Sequence, residues 1–164
     1  MKKTRTVTRL AAFAAAAVLL GYVESLFPPV AAGVKIGIAN TVIIIMLYTE
    51  SLRNTFSVSL IKVILCMLLF GSMTSFIYSL CGAVVSLAGM YTAKRSRVFS
   101  LAAVSSLGGL LHNMAQLLCA YFIMGKGVLF HMPVLALTGI FCGAVTGVAA
   151  QIIIKRGREI FGKE

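Results

Sequence analysis

Residues 99–124 read FSLAAVSSLGGLLHNMAQLLCAYFIM, without one Asp, Glu, Lys or Arg. A hydrocarbon core of roughly 30 Å takes about 20 residues of helix to cross, so this run is long enough. Its flanks punctuate it. Lys94-Arg95-Ser96-Arg97 precedes it and reads as a loop; Gly125-Lys126-Gly127 follows and breaks it.

The same grammar extends in both directions. Apolar runs predict helices over about 7–27, 35–48, 55–70, 75–93, 99–124 and 129–154, the last bent near Pro133. Pro28 and Pro29 stop the first helix, and a short loop over 30–34 leads into the second. Glu50 and Arg53 mark a polar turn over 49–54, and residues 71–74 a tight one. The chain is 164 residues long, 60% hydrophobic and only 12% charged, with mean hydropathy +1.00. A soluble domain of this size carries far more surface charge. The expectation is therefore an all-α integral membrane protein: one transmembrane domain over 1–164, a bundle of about six helices. The basic start and the apolar run 10–23 resemble a signal peptide, but Glu24 and the Phe27-Pro28-Pro29 stretch replace a small-residue cleavage site. An uncleaved first helix is the better reading.

The net charge of +11 could suggest nucleic acid. The cations instead sit in short clusters between apolar runs, which is the pattern of orientation signals. Alternating the six spans puts Lys2, Lys3, Arg5, Arg9, Arg53, Lys94, Arg95, Arg97, Lys155, Arg156, Arg158 and Lys163 on one side. Only Lys35 and Lys126 fall on the other. Cytoplasmic loops carry the excess of Lys and Arg, so both termini are expected in the cytoplasm, and a partner nucleic acid is not. Cys66, Cys81, Cys119 and Cys142 lie inside apolar runs and read as small buried hydrophobes, not as a zinc site or a disulfide framework.

Absences narrow the chemistry. The chain has no aspartate, and its acids are Glu24, Glu50, Glu159 and Glu164. There is no Walker A pattern, since Lys126 is followed by Gly127. No catalytic residue, metal or cofactor is implied, and the chain is not expected to be an enzyme. Active transport would have to borrow energy from a partner or an ion gradient. Polar side chains within spans are costly and tend to face the bundle interior or a cavity. Here they gather towards the outer half: Glu24, Lys35, Asn40, Tyr78 with Ser79, and His112-Asn113-x-x-Gln116, with Lys62 near mid-depth. His112 and Gln116, four apart, share a helix face. These residues are the candidate substrate site, an outward-facing polar pocket. Each has a plainer reading: Lys62 snorkelling, Lys35 anchoring at the interface, the His112 segment as hydrogen-bond glue, Glu24 pairing with a lysine. Small residues form a second pattern. Ala11/Ala15 and Ala12/Ala16 make a face that packs inside the bundle or docks a partner helix, whereas Gly139, Gly143 and Gly147 are best read as packing.

Three segments together carry a resemblance: Gly33-Val34-Lys35-Ile36-Gly37-Ile38-Ala39-Asn40; Phe76-Ile77-Tyr78-Ser79-Leu80; and Phe99-Ser100, Val104-Ser105 and His112-Asn113-Met114-Ala115-Gln116. In that order they resemble the bacterial Gx transporter family, often labelled heptaprenyl diphosphate synthase component I, over roughly residues 10–150. That family is similar to the S components of energy-coupling factor transporters. The resemblance implies a multi-pass protein of the bacterial plasma membrane that captures a small-molecule micronutrient from outside. It also implies partners: a transmembrane coupling subunit that docks on an Ala-x-x-x-Ala face, matched here by Ala11/Ala15 or Ala12/Ala16, and ATPase subunits. Prenyl synthases hold magnesium diphosphate through aspartate-rich motifs, so the label fits at most an accessory subunit for polyprenyl or quinone synthesis. That alternative predicts a lateral apolar groove. A stand-alone proton-coupled carrier is the third reading, with Glu24 or His112 essential.

Overall fold

Three of the helices start where a serine hydroxyl can cap them. Ser51, Ser72 and Ser100 each accept a hydrogen bond from the backbone N–H three residues on, at 3.3, 3.2 and 3.2 Å. Each satisfies one of the four N–H groups that a first helical turn leaves orphaned. The computed structural model describes residues 2–26 and 38–161. Within them the helices are α1 Lys2–Ser25, α2 Asn40–Thr49, α3 Leu52–Phe70, α4 Met73–Ser96, α5 Leu101–Met124 and α6 Met132–Phe161. A 3-10 segment, Lys126–His131, leads into α6, and no strand forms among the described residues. Every helix except α2 is long and apolar enough to cross a membrane. The protein is an all-α membrane bundle.

The ends differ from the sequence expectation in ways that have one cause. Hydropathy marks where a helix leaves hydrocarbon, not where its hydrogen-bond ladder stops. The expected loop at 94–97 is helical through Ser96, and Arg97 closes α4 in the left-handed region at φ 59°. Lys94 helps hold that last turn: its Nζ donates to the Leu47 carbonyl and lies 4.9 Å from the Tyr48 ring centroid. The expected basic tail is likewise helical to Phe161. Pro133 occupies the first turn of α6, where its missing N–H removes no helical bond. The second helix begins at Asn40, after a turn at 38–39. Lys35, the loop over 30–34 and the two prolines at 28–29 lie outside the described residues.

The helices close a ring. α1 packs on α3, α3 on α4, α4 on α5, α5 on α6, and α6 on α2, which returns to α1. α2 also touches α3, and its Val42, Ile43, Ile44, Met46 and Leu47 are all buried. A helix apolar on every side belongs in the interior, and this one fills the middle of the apolar core with Ala17, Val58, Leu87 and Val104. The opposite pattern clothes the outside, where Leu68, Leu69, Phe122 and Phe141 are exposed. Lipid, not water, is the solvent that such a surface fits.

α5 and α6 approach most closely. A methyl group on Gly139 would lie 2.7 Å from the Gly109 carbonyl oxygen, and one on Gly147 would lie 2.8 Å from the Ala102 Cα. Gly143 sits against the Ser105 carbonyl in the same way. The glycine stripe of the sixth helix is thus a packing seam, as expected, because only a bare backbone lets two helices meet at that distance. Ser105 and Thr146 hydroxyls add a 3.1 Å hydrogen bond across it.

The cations gather at one end of the bundle. Arg9 of α1 pairs with Glu50, before α3, at 2.7 Å, and Asn54 Nδ2 donates to the other Glu50 oxygen at 3.2 Å. Lys94 joins the end of α4 to the end of α2. Tyr48, Ser100, Lys155 and Arg158 line one groove there.

Candidate functional site

Polar groups on five helices converge towards the other end of the ring. α1 contributes Gly21 and Glu24, and α2 begins with Asn40. α3 brings Lys62 and Cys66, α4 brings Ser79, and α5 brings His112 and Gln116. All of these line a single cavity. Five of the eight substrate-site residues named from sequence, Glu24, Asn40, Lys62, His112 and Gln116, line it; Asn113 and Tyr78 do not, and Lys35 lies outside the described residues.

The cavity is pre-organised. Lys62 Nζ donates to Asn40 Oδ1 at 3.0 Å, which orients an ammonium group near the middle of a membrane helix towards the interior. An ammonium there is expensive unless it is hydrogen-bonded or paired, and Glu24, 5% exposed, shares the cavity with it. Gln116 Nε2 and His112 Nε2 are 2.8 Å apart, one turn along α5. Gln116 is 3% exposed, and its Oε1 has no hydrogen-bond partner among the described residues. A buried orphan acceptor costs roughly 1–3 kcal/mol, so this atom is available to a donor brought in from outside. Gly82 of α4 makes room for the pair: a methyl there would lie 2.8 Å from the His112 ring and 3.1 Å from Gln116 Cγ.

The volume is about 40 Å³, enough for roughly three waters. Drug-sized ligands occupy cavities of several hundred Å³. As described, the cavity is too small for such a ligand. A second void of about 20 Å³ adjoins it through Asn40 and His112 and runs between α4, α5 and α6, past Ser86, Ser105 and Thr146.

Two named residues do other work. Asn113 lines the second void, but its Nδ2 donates to the Leu135 carbonyl at 2.9 Å, bracing α5 against α6. Tyr78 is buried in a separate apolar cluster with Leu117, Ala120, Val128 and Leu135. Its neighbour Ser79 takes the lining position. Gly21, Cys66 and Gly82 had no signal as site residues, because a small apolar side chain in a span reads as packing. The hydroxyls of Ser86 and Thr146 could have been found by applying to them the rule used for Asn40.

On α1, Ala11, Ala12 and Ala15 are exposed and Ala16 is half-buried, while Ala14 and Ala17 face the core. The alanine run therefore presents an open strip of small residues on the outside of the bundle.

The family model described as heptaprenyl diphosphate synthase component I matches residues 13–153. The chain belongs to that family. The match takes in every residue of the heptaprenyl diphosphate synthase component I family member that lines the cavity, and of the alanine strip it includes Ala15 and Ala16. No curated protein and no solved structure matches the chain.

Proposed function

We propose that this protein is the substrate-capture subunit of an ATP-driven micronutrient importer in the bacterial plasma membrane, both termini being cytoplasmic. One observation carries the reading: Glu24, Asn40, Lys62, Ser79, His112 and Gln116, from five helices, share a cavity inside an apolar bundle. Structural glue needs pairs of polar residues, not a convergence that leaves a void and an unfilled acceptor. The cations gather at the opposite end, which supports reading the cavity end as the outward one under the positive-inside rule. The ligand is small and offers an acceptor or anionic group to Lys62 and a donor to Gln116 Oε1. It enters by a widening of the cavity, since the described volume is too small for it. No Walker A sequence is present in the chain, and on this reading the energy comes from ATPase partners, with the coupling subunit seated on the alanine strip of α1.

The test is native mass spectrometry of the purified chain. A retained small molecule is expected, at least tenfold depleted in Lys62→Met and in Gln116→Leu. Equal retention by both variants would overturn the reading. Replacing Ala12 and Ala16 together with leucine is expected to release the coupling subunits without affecting that molecule.

A second reading, an accessory subunit for polyprenyl diphosphate synthesis, has two points in its favour. They are the family's description and a lateral apolar groove between α3 and α4. Copurification with a prenyl synthase, and not with an ATPase module, would select it.

A further inference from the structure

The groove between α3 and α4 lies on the outside of the ring, well away from the cavity. Leu52 and Phe56 form one wall, Val84 and Ala88 the other, and Leu87 the floor, over about 520 Å³. Arg53 and Tyr91 stand at its basic end. Arg53 is exposed and makes no ion pair among the described residues. Arg95 stands one turn beyond Tyr91, and its Nη1 donates to the Tyr91 hydroxyl at 3.1 Å. Two guanidinium groups therefore flank the mouth of an apolar trough.

We propose that this groove is a binding site for one anionic phospholipid of the leaflet at the basic face of the bundle. The chemistry is complementary along its length. Guanidinium groups bind phosphate through paired, charge-assisted hydrogen bonds, and juxtamembrane arginines attract anionic headgroups. Below them the walls carry no charge. From Thr92 to Val84 the trough runs roughly 12 Å along α4, at 1.5 Å per residue. That length suits the upper part of one acyl chain, whose remainder stays among its neighbours in the bilayer. A polyprenyl diphosphate fits less well: without aspartate the protein cannot hold magnesium on a diphosphate in the manner of prenyl synthases.

The full chain in detergent is titrated with dioleoyl phosphatidylglycerol, dioleoyl phosphatidylcholine or geranylgeranyl diphosphate and followed by native mass spectrometry. One phosphatidylglycerol is expected to bind at least fivefold more tightly than phosphatidylcholine. Arg53→Gln combined with Arg95→Gln is expected to erase that preference, and Ala88→Phe, which fills the trough from an exposed position, to abolish the specific adduct. Equal binding of the two phospholipids would overturn the site. So would tighter binding of the prenyl diphosphate, or a preference that survives both sets of substitutions. Retention of the small molecule in the cavity is read in the same spectra, so failure here leaves the function proposed above standing.

Discussion

Gly82 shows how a single residue shapes the cavity. Its missing side chain admits the His112 ring and the Gln116 stem. Gly82→Ala is expected to displace both, costing about 1–3 kcal/mol by overpacking and weakening ligand retention at least tenfold. Thermal unfolding in detergent and native mass spectrometry read the two effects. The Lys62–Asn40 hydrogen bond allows a sharper test. Lys62→Met strands Asn40 Oδ1, whereas Lys62→Met with Asn40→Leu removes both partners. Because an orphaned buried group costs more than an absent pair, the double variant is expected to be less destabilised than the two single losses added together. At this scale the sequence was only partly legible. Charge and amide groups inside spans advertise themselves by their transfer cost, so Glu24, Asn40, Lys62, His112 and Gln116 could be named. Which of Tyr78 and Ser79 faces the cavity depends on helix rotation. In a helix apolar nearly all round, no polar stripe reveals that rotation.

Among the elements, α6 offers a matched comparison along one helix. Gly143 lies against the α5 backbone, while Gly157 has nothing within 4 Å of where a side chain would start. Gly143→Val is expected to force α5 and α6 apart and lower stability by about 3 kcal/mol or more. Gly157→Ala is expected to raise it by up to about 1 kcal/mol through helix propensity. A rank order of unfolding temperatures, Gly157→Ala highest and Gly143→Val lowest, checks both. The three-residue spacing between the capping hydroxyls of Ser51, Ser72 and Ser100 and the backbone N–H groups that donate to them explains why three helix starts could have been read more closely than hydropathy allowed. The extensions of α4 and α6 beyond the apolar runs could not. They depend on contacts between distant segments, such as Lys94 with Leu47.

For the whole molecule, orientation is the quantity to measure. With Cys66, Cys81, Cys119 and Cys142 replaced by alanine, single cysteines at Ser96 and Gly127 report opposite ends of the bundle. A membrane-impermeant maleimide is expected to label Gly127→Cys on intact cells and Ser96→Cys only after permeabilisation. The reverse pattern would invert the cavity and defeat capture from outside. The class of fold was readable because cations and apolar runs alternate along the entire chain. The order of helices around the ring was not, since every span satisfies the same hydropathy condition and neighbours are chosen by shape.

That order gives α1 an unusual position. It is a rod whose inner side supplies Gly21 and Glu24 to the chamber and whose outer side bears bare alanines, pinned near its start by Arg9 to Glu50. Bulk added to the outer side of that rod leaves the lining of the chamber untouched, whereas a methyl group at Gly21 on its inner side would lie 2.8 Å from Cys66 Sγ.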